Sequence, residues 1–350
     1  MQWLYQQAKK PSKEHEALAY QRQQVLTKPP GALGQLETLA IKLAGLQYKA
    51  LPQCEQLFIR VFAGDHGVAQ SGVSAFPQAV TVEMIRNFAR GGAAISVLAK
   101  HLDADFGVIN LGTATEVEPL ENVENLNIAP GTADFSKQAA MSTEELNQAL
   151  NAGRLVAEQA LSADADIFIG GEMGIGNTTS ASALCAAYTQ TPARTWCGKG
   201  TGLNDEGVER KATLIDQAIV KHNVNAVAPL EILRHFGGLE IAALAGAYIA
   251  CSQNGLPSLI DGFISSAAAL CAYRINPSIL PWLVFSHRSN EAAHGNLLEL
   301  LKAEPLIDLG MRLGEGSGAA VAVPIIQNAC RLHSEMATFE QAGVSTQADT

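Results

Sequence analysis

What the chain lacks narrows it first. Charged residues make up only 17% of it against 47% hydrophobic ones, which excludes a disordered or solvating protein and leaves ample material for a core. Positive charge is scarce: 24 Lys and Arg stand against 34 Asp and Glu, a formal net charge of −10. That disfavours nucleic acid as a partner, because such binding rests on cations neutralising phosphates. A small phosphate ligand stays open, since screening over about 8 Å leaves the decision to local loops. No apolar stretch approaches the roughly 20 residues of a membrane span; the run at 241–251 is far too short, so no membrane partner is expected. The six cysteines include no CxxC pair, and most sit in apolar, alanine-rich surroundings. They read as reduced core thiols, which points to a cytoplasmic protein. The opening MQWLYQQAKKPSKEHEAL has no apolar segment after its charges, so no export signal is expected. Internal repeats and low-complexity blocks are missing as well.

What is present is a rhythm. Residues 13–27 are helical in character, KPPGALGQLE then breaks the chain, and a second helix runs to about Gln47. Short apolar, β-branched runs follow at 57–63, 106–112, 166–171, 257–262 and 282–287. Alanine-rich helical stretches separate them at 144–161, 178–189, 206–222, 230–252 and 263–274. Continuous apolar strands alternating with helices predict α/β architecture, a Rossmann-like doubly wound parallel sheet covered on both faces. A chain of 350 residues can bury roughly three-quarters of its unfolded surface in such a body plus an appendage. We expect residues 51–318 to form the large domain carrying the active site. Residues 1–50 with about 319–350, including a helix near 318–336, should form a smaller helical domain, and the tail QAGVSTQADT should fray.

Each predicted strand ends in glycine, acid, histidine or asparagine: AGDHG, NLGT, GGEMGIGNTT, DGF and SHRSNE. In open parallel sheets ligands bind outside the carboxyl ends of the strands. Turn glycines alone would not place Asp65, His66, Glu172, Asn177, Asp261 and His287 at the same kind of position. One crevice on that rim is the expectation.

The segment GGEMGIGNTT opens a helix after a strand, so its amides suit an anion and Thr178 or Thr179 can cap the helix. It matches neither GxxxxGK[ST] nor GxGxxG, which removes the nucleoside-triphosphatase and dinucleotide signatures. The segment MRLGEGSG repeats the construction with Gly314, Gly316, Ser317 and Gly318 before a helix. Glu315 lies between those glycines. In an apolar pocket beside Leu313 its pKa would rise from about 4.3 and suit proton transfer; an exposed loop glutamate fits the residues equally well. His287, Glu291 and His294 fall at i, i+4 and i+7, one helical face, and with Asp65 and His66 could hold a metal. The same strand end could instead offer Ser286, His287 and Ser289 to sugar hydroxyls. Phe76 and Pro77 present a flat apolar wall, although core packing is the commoner fate of a phenylalanine. Lys211 shares a helix face with Val208 and Ile215 and would ordinarily be solvated.

Taken together, KPPGALGQLE, AGDHGVAQSGVSAFPQAVT, NFARGGAAI, GGEMGIGNTT, GTGLNDEG, HFGGLEIAALAGA, DGFISSAAAL, SHRSNEAAHG and MRLGEGSGAAVAVP resemble, in order and over nearly the whole chain, the nicotinate-nucleotide–dimethylbenzimidazole phosphoribosyltransferase family. Asn204 and Ala293 depart from the usual pattern. The resemblance implies transfer of phosphoribose from nicotinate mononucleotide to dimethylbenzimidazole in cobalamin assembly, by a homodimer with no cofactor and no metal. It places the general base on Glu315 and puts Glu172 near the reacting sugar. It assigns Gly174, Gly176, Asn177, Thr178, Lys211, Asp261, Ser286, Gly316 and Ser317 to phosphate or ribose. Phe76, Pro77, Met84, Met173 and Leu313 would wall the benzimidazole. A non-catalytic nucleotide sensor and a metallohydrolase on Asp65, His66, His287 and His294 are the rivals.

Overall fold

Six strands form one sheet in the computed structural model, which describes residues 1–198, 200, 202, 204–224 and 227–345. They are β1 (Leu57–Gly64), β2 (Asp105–Gly112), β3 (Val123–Asn125), β4 (Ile167–Met173), β5 (Ser258–Ile260) and β6 (Leu283–Phe285). Every pairing is parallel and the order is β3-β2-β1-β4-β5-β6. This is the doubly wound, Rossmann-type order, which reverses direction between β1 and β4. Strands β1 and β4 are buried along almost their whole length, as expected for strands covered by helices on both faces. β3 was not anticipated. Val123 and Asn125, half-buried on either side of an exposed Glu124 at the sheet edge, carry no apolar run from which to read a strand.

The helices are α1 (Lys13–Val25), α2 (Gln35–Gln47), α3 (Ala79–Ala89), α4 (Ala94–His101), α5 (Thr143–Ser162), α6 (Asn177–Thr189) and α7 (Asp205–His222). They continue as α8 (Pro229–Phe236), α9 (Leu239–Asn254), α10 (Phe263–Ile275), α11 (His294–Leu301), α12 (Ser317–Glu335) and the short α13 (Phe339–Ala342). The single helix expected over 230–252 is two, because Gly237 turns extended (φ −77°, ψ −170°) and α9 starts after Gly238. Apolar periodicity runs on through the break, which hides it. The helical face proposed for His287, Glu291 and His294 does not exist: His287 makes a parallel bridge to Ile307, and α11 begins only at His294.

The longest contact between helices is α5 against α9, permitted by two glycines. A Cβ on Gly153 would stand 1.8 Å from the Ala243 carbonyl oxygen, and one on Gly246 would stand 2.2 Å from that of Leu150. The N-terminal helices pack with the C-terminal one. Arg22 of α1 donates to the carbonyls of His333 and Ser334, and Gln23 meets His333 Nδ1 at 2.8 Å. The end of the predicted fraying tail, 346–350, and parts of the GTGLNDEG motif lie outside the described residues. Among the described residues no helix is long and apolar enough to cross a membrane. All six cysteines are free and buried, as their apolar neighbours foretold.

Candidate active site

A cavity of about 340 Å³ opens at the carboxyl edge of the sheet, next to β4. It takes Glu172 and Met173 from β4, Gly174, Asn177 and Thr178 from the turn into α6, and Gly262 and Phe263 from the turn after β5. His287, Ser289 and Glu291 come from the segment after β6, Phe76 and Met84 from the loop and helix after β1, and Arg312 to Glu315 from the loop before α12. The location follows the expected rule, at the point where the strand order reverses. The NLGT ending of β2 is not among the lining residues. A wider open hollow of about 700 Å³ runs along the outer face of α7 with charges of both signs, away from the strand ends.

One wall is apolar: Phe76, Val80, Met84, Met173, Phe263, Ile264 and Leu313. Leu313 is 58% exposed and Phe76 49% exposed, so this wall is the mouth of the cavity and has apolar surface left to cover. Pro77 does not line it. Opposite lies the start of α6, whose cap is not the threonine expected. Gly176, in the left-handed region at φ 101°, precedes Asn177 with no side-chain cap, and a Cβ there would press on His66. Lys211 also departs from expectation: it is 1% exposed, and its Nζ donates to Thr178 Oγ1 at 3.1 Å. Burial lowers its pKa, opposed by the nearby Cys197 and Glu291. It stands behind the loop and does not itself line the cavity.

Glu315 occupies a local conformation that only strong constraints keep. Gly314, Glu315 and Gly316 are all left-handed, at φ 87°, 65° and 87°. For a non-glycine residue such a state costs about 1–3 kcal/mol. The loop can enter because β4 carries glycine: a Cβ on Gly171 would lie 2.1 Å from the Glu315 carbonyl oxygen. The Glu315 side chain is 6% exposed, receives the N–H of Ile95 at the start of α4, and keeps Oε2 buried without a partner. Burial raises its pKa, and the charge of Asp261 adds to the rise. Of the two readings left open by the sequence, the exposed loop glutamate is excluded.

Glu172 lies beneath that loop. Its carboxyl group receives the amide of Asn177 and the backbone N–H of Glu315. Burial, then the charges of Asp261 and Glu240, push its pKa well above the ordinary carboxylate value.

The remaining expected residues fall outside the cavity. Asp261 is buried, with its carboxylate on the amides of Gly316 and Ala319. Ser286 donates to the Ile260 carbonyl, and Ser317 to that of Gly314. Asp65 accepts from the Ala114 N–H. His66 bridges Ser180 (2.9 Å) and Glu240 (2.7 Å) under the α6 turn. His294 accepts from the Ser289 N–H and contacts Ser266, and burial pulls its pKa down to about 4. Among the described residues no group of three or more His, Cys, Asp or Glu side chains is arranged to hold a metal.

Residues not foreseen also line the site: Val80, Ile175, Phe263, Ile264 and Arg312. Arg312 could have been suspected, since it belongs to the MRLGEGSG segment; its Nη1 donates to the Gly200 carbonyl at 3.1 Å.

Residues 8–344 match a family described as Phosphoribosyltransferase, DBI_PRT. The chain is 56% identical over 330 residues to the nicotinate-nucleotide–dimethylbenzimidazole phosphoribosyltransferase of Azotobacter vinelandii, covering 94% of each chain. It is 52% identical over 345 residues to the enzyme of that name from Pseudomonas aeruginosa, covering 99% of this chain and 98% of that one. Among solved structures it resembles CobT from Thermus thermophilus, with 41% identity and a TM-score of 0.91, over 95% of this chain and 100% of that one.

Proposed function

Because the chain belongs to the nicotinate-nucleotide–dimethylbenzimidazole phosphoribosyltransferase family, we propose that phosphoribosyl transfer takes place in the cavity beside β4, with Glu315 as the general base. The enzyme is a pentosyltransferase that converts nicotinate mononucleotide and 5,6-dimethylbenzimidazole to α-ribazole 5′-phosphate and nicotinate. The bond from C1′ to the pyridinium nitrogen breaks, and its electron pair neutralises the departing ring. A nitrogen lone pair of the azole forms the new bond to C1′ from the opposite face, inverting β to α. The leaving group needs no acid. The azole, now cationic, must lose its N–H proton, so one base is sufficient.

The observation that carries the assignment is that Glu315 lines the cavity and keeps one carboxyl oxygen, Oε2, buried without a partner. A buried acceptor without a protein donor is suited to receive a proton from an N–H. The apolar residues Phe76, Met84, Met173 and Leu313 face the same space, which supports a flat azole ring there. Gly174, Asn177 and Thr178 at the start of α6 would take the phosphate, with the charge of Lys211 behind them. Glu172, which lines the same cavity, would lie near the reacting sugar. The enzyme works as a cytoplasmic homodimer in this reading, on the strength of the resemblance and of six free cysteines; sedimentation of the purified protein tests the dimer.

The decisive variant is Glu315→Gln, assayed by nicotinate release. Turnover should fall roughly 10²–10⁴-fold, the usual worth of a general base, with KM for nicotinate mononucleotide little changed. Unchanged turnover would remove Glu315 from the chemistry.

A further inference from the structure

The start of α12 reads in the sequence as a second anion cradle, yet an anion of the protein already occupies it. Asp261, the residue after β5, accepts from the Gly316 N–H through Oδ2 (3.1 Å) and from the Ala319 N–H through Oδ1 (2.9 Å). His287 Nε2 lies 3.4 Å from the same Oδ1. The imidazole is wedged so closely that a Cβ on Gly318 would come within 2.2 Å of it. Asp261 thus bonds the cap residue of α12, Gly316, which closes the left-handed triplet 314–316, and the third residue of the helix, Ala319. From the other side, Glu172 of β4 takes the Glu315 N–H. Two carboxyl groups from neighbouring strands thus bracket the backbone of a single residue.

We propose that Asp261 is a positioning residue for the reaction: its carboxylate replaces a ligand anion at the start of α12 and holds Glu315, a residue of the cavity wall, in its left-handed turn. The inference rests on the reading of Glu315 as the base. It also decides where the substrate phosphate cannot go. With the amides of Gly316 and Ala319 taken, the phosphate is left to the turn before α6. Helix N-termini bind anions because unpaired N–H groups and the helix dipole favour negative charge there; a buried aspartate satisfies that demand permanently. His287 reinforces it, since its contact with Asp261 favours the ionised carboxylate against the burial that opposes it.

The test is Asp261→Asn, which keeps the shape and removes the charge. A loosened Glu315 should cost roughly 100-fold in kcat, the scale of a misplacement of about 1 Å. KM for nicotinate mononucleotide should stay within about threefold, as for a group that does not touch the substrate. A pH profile adds a readout that a merely structural role would not move. Glu315 is faced by Asp261 from the end of β5 and by Glu172 from β4, with His287 behind Asp261, the Ile95 amide from α4, and Glu291 and Arg312 on the cavity wall. Loss of the Asp261 charge removes one cause of the raised Glu315 pKa, so the acid limb of kcat should move to lower pH. A KM rising tenfold or more with kcat nearly intact would make Asp261 a substrate ligand and overturn the proposal; so would wild-type kcat with an unmoved acid limb. Should Asp261→Asn not fold, Ala319→Pro, in a first helical turn where proline is tolerated, removes the N–H that Asp261 Oδ1 accepts and sets a ring carbon against that oxygen. It should show the same fall in kcat at constant KM, and full activity would overturn the proposal. Glu315→Gln measured alongside separates the two ideas: if it retains turnover, the base assignment fails whatever Asp261 does. If it loses turnover while Asp261→Asn does not, only the positioning role fails.

Discussion

At the residue scale, the site holds two carboxyl groups whose pKa values are pushed in opposite directions within one buried cluster. Asp261 stays ionised although burial opposes it, because His287 and backbone amides stabilise its charge. Burial, then the charges of Asp261 and Glu240, push the pKa of Glu172 the other way, upward. Two like charges so placed cannot both ionise cheaply, so environment divides the roles. A consequence follows for Glu172. Glutamine mimics the neutral acid, whereas alanine empties the position beneath the Glu315 loop. Glu172→Gln should remain within roughly tenfold of wild-type kcat, and Glu172→Ala should lose substantially more. Equal losses in the two variants, measured by nicotinate release, would mean that the ionised form is required.

At the scale of elements, the functional loop is set by a strand. Gly171 lets the Glu315 backbone approach β4, and an added methyl would collide with backbone, which has no rotamer to escape to. Gly171→Ala should lower stability by roughly 1–3 kcal/mol, as overpacking does, and lower kcat by more than its folded fraction accounts for. Gly153→Ala is the control. It meets the Ala243 carbonyl between α5 and α9, remote from the cavity, and should destabilise by a similar amount while the folded protein keeps wild-type kcat/KM. Thermal melts with activity on the same samples distinguish them; equal effects on kcat/KM would deny the loop its special sensitivity. The split of α8 from α9 has the same logic. A Cβ at Gly238 would come within 2.4 Å of both His66 and Glu240, so the break is where that buried pair needs room.

At the scale of the whole molecule, buried histidines tie stability to pH. His294 is held neutral, its pKa drawn from 6.5 down to about 4 mainly by burial. A depressed pKa means that the unfolded chain binds the proton first. The stability that neutral His294 contributes is therefore complete above pH 6.5 and is lost as pH falls towards 4. By linkage this amounts to on the order of 3 kcal/mol. His294→Gln should melt below wild type at pH 7, because the acceptor for the Ser289 N–H is disturbed. The gap in Tm should narrow as pH drops from 6.5 towards 4, since the variant has no such proton to bind. A constant gap across that range would show that another group carries the titration.

Much of this was readable in advance, and the division has a physical cause. Period and composition are local properties, and they were enough to establish the parallel α/β class, most inner strands, the rim that carries the site and the segments that meet there. Local pattern could also bring Glu315 under suspicion, through its glycine neighbours and its motif. It could not rank a buried carboxyl group above an exposed loop residue, because burial depends on what other elements bring: β4 with its glycine, α4 with its amide. Three further matters waited for the folded arrangement. Lys211 is buried behind the α6 turn instead of solvated, His294 is a hydrogen-bonded core residue, and Asp261 fills the helix start that looked open to phosphate. Each depends on a group brought up by the packing of elements, and hydrogen bonds and desolvation act through space. Local pattern could name the groups; only the fold could say which of them were already satisfied and which, like Oε2 of Glu315, were buried without a partner.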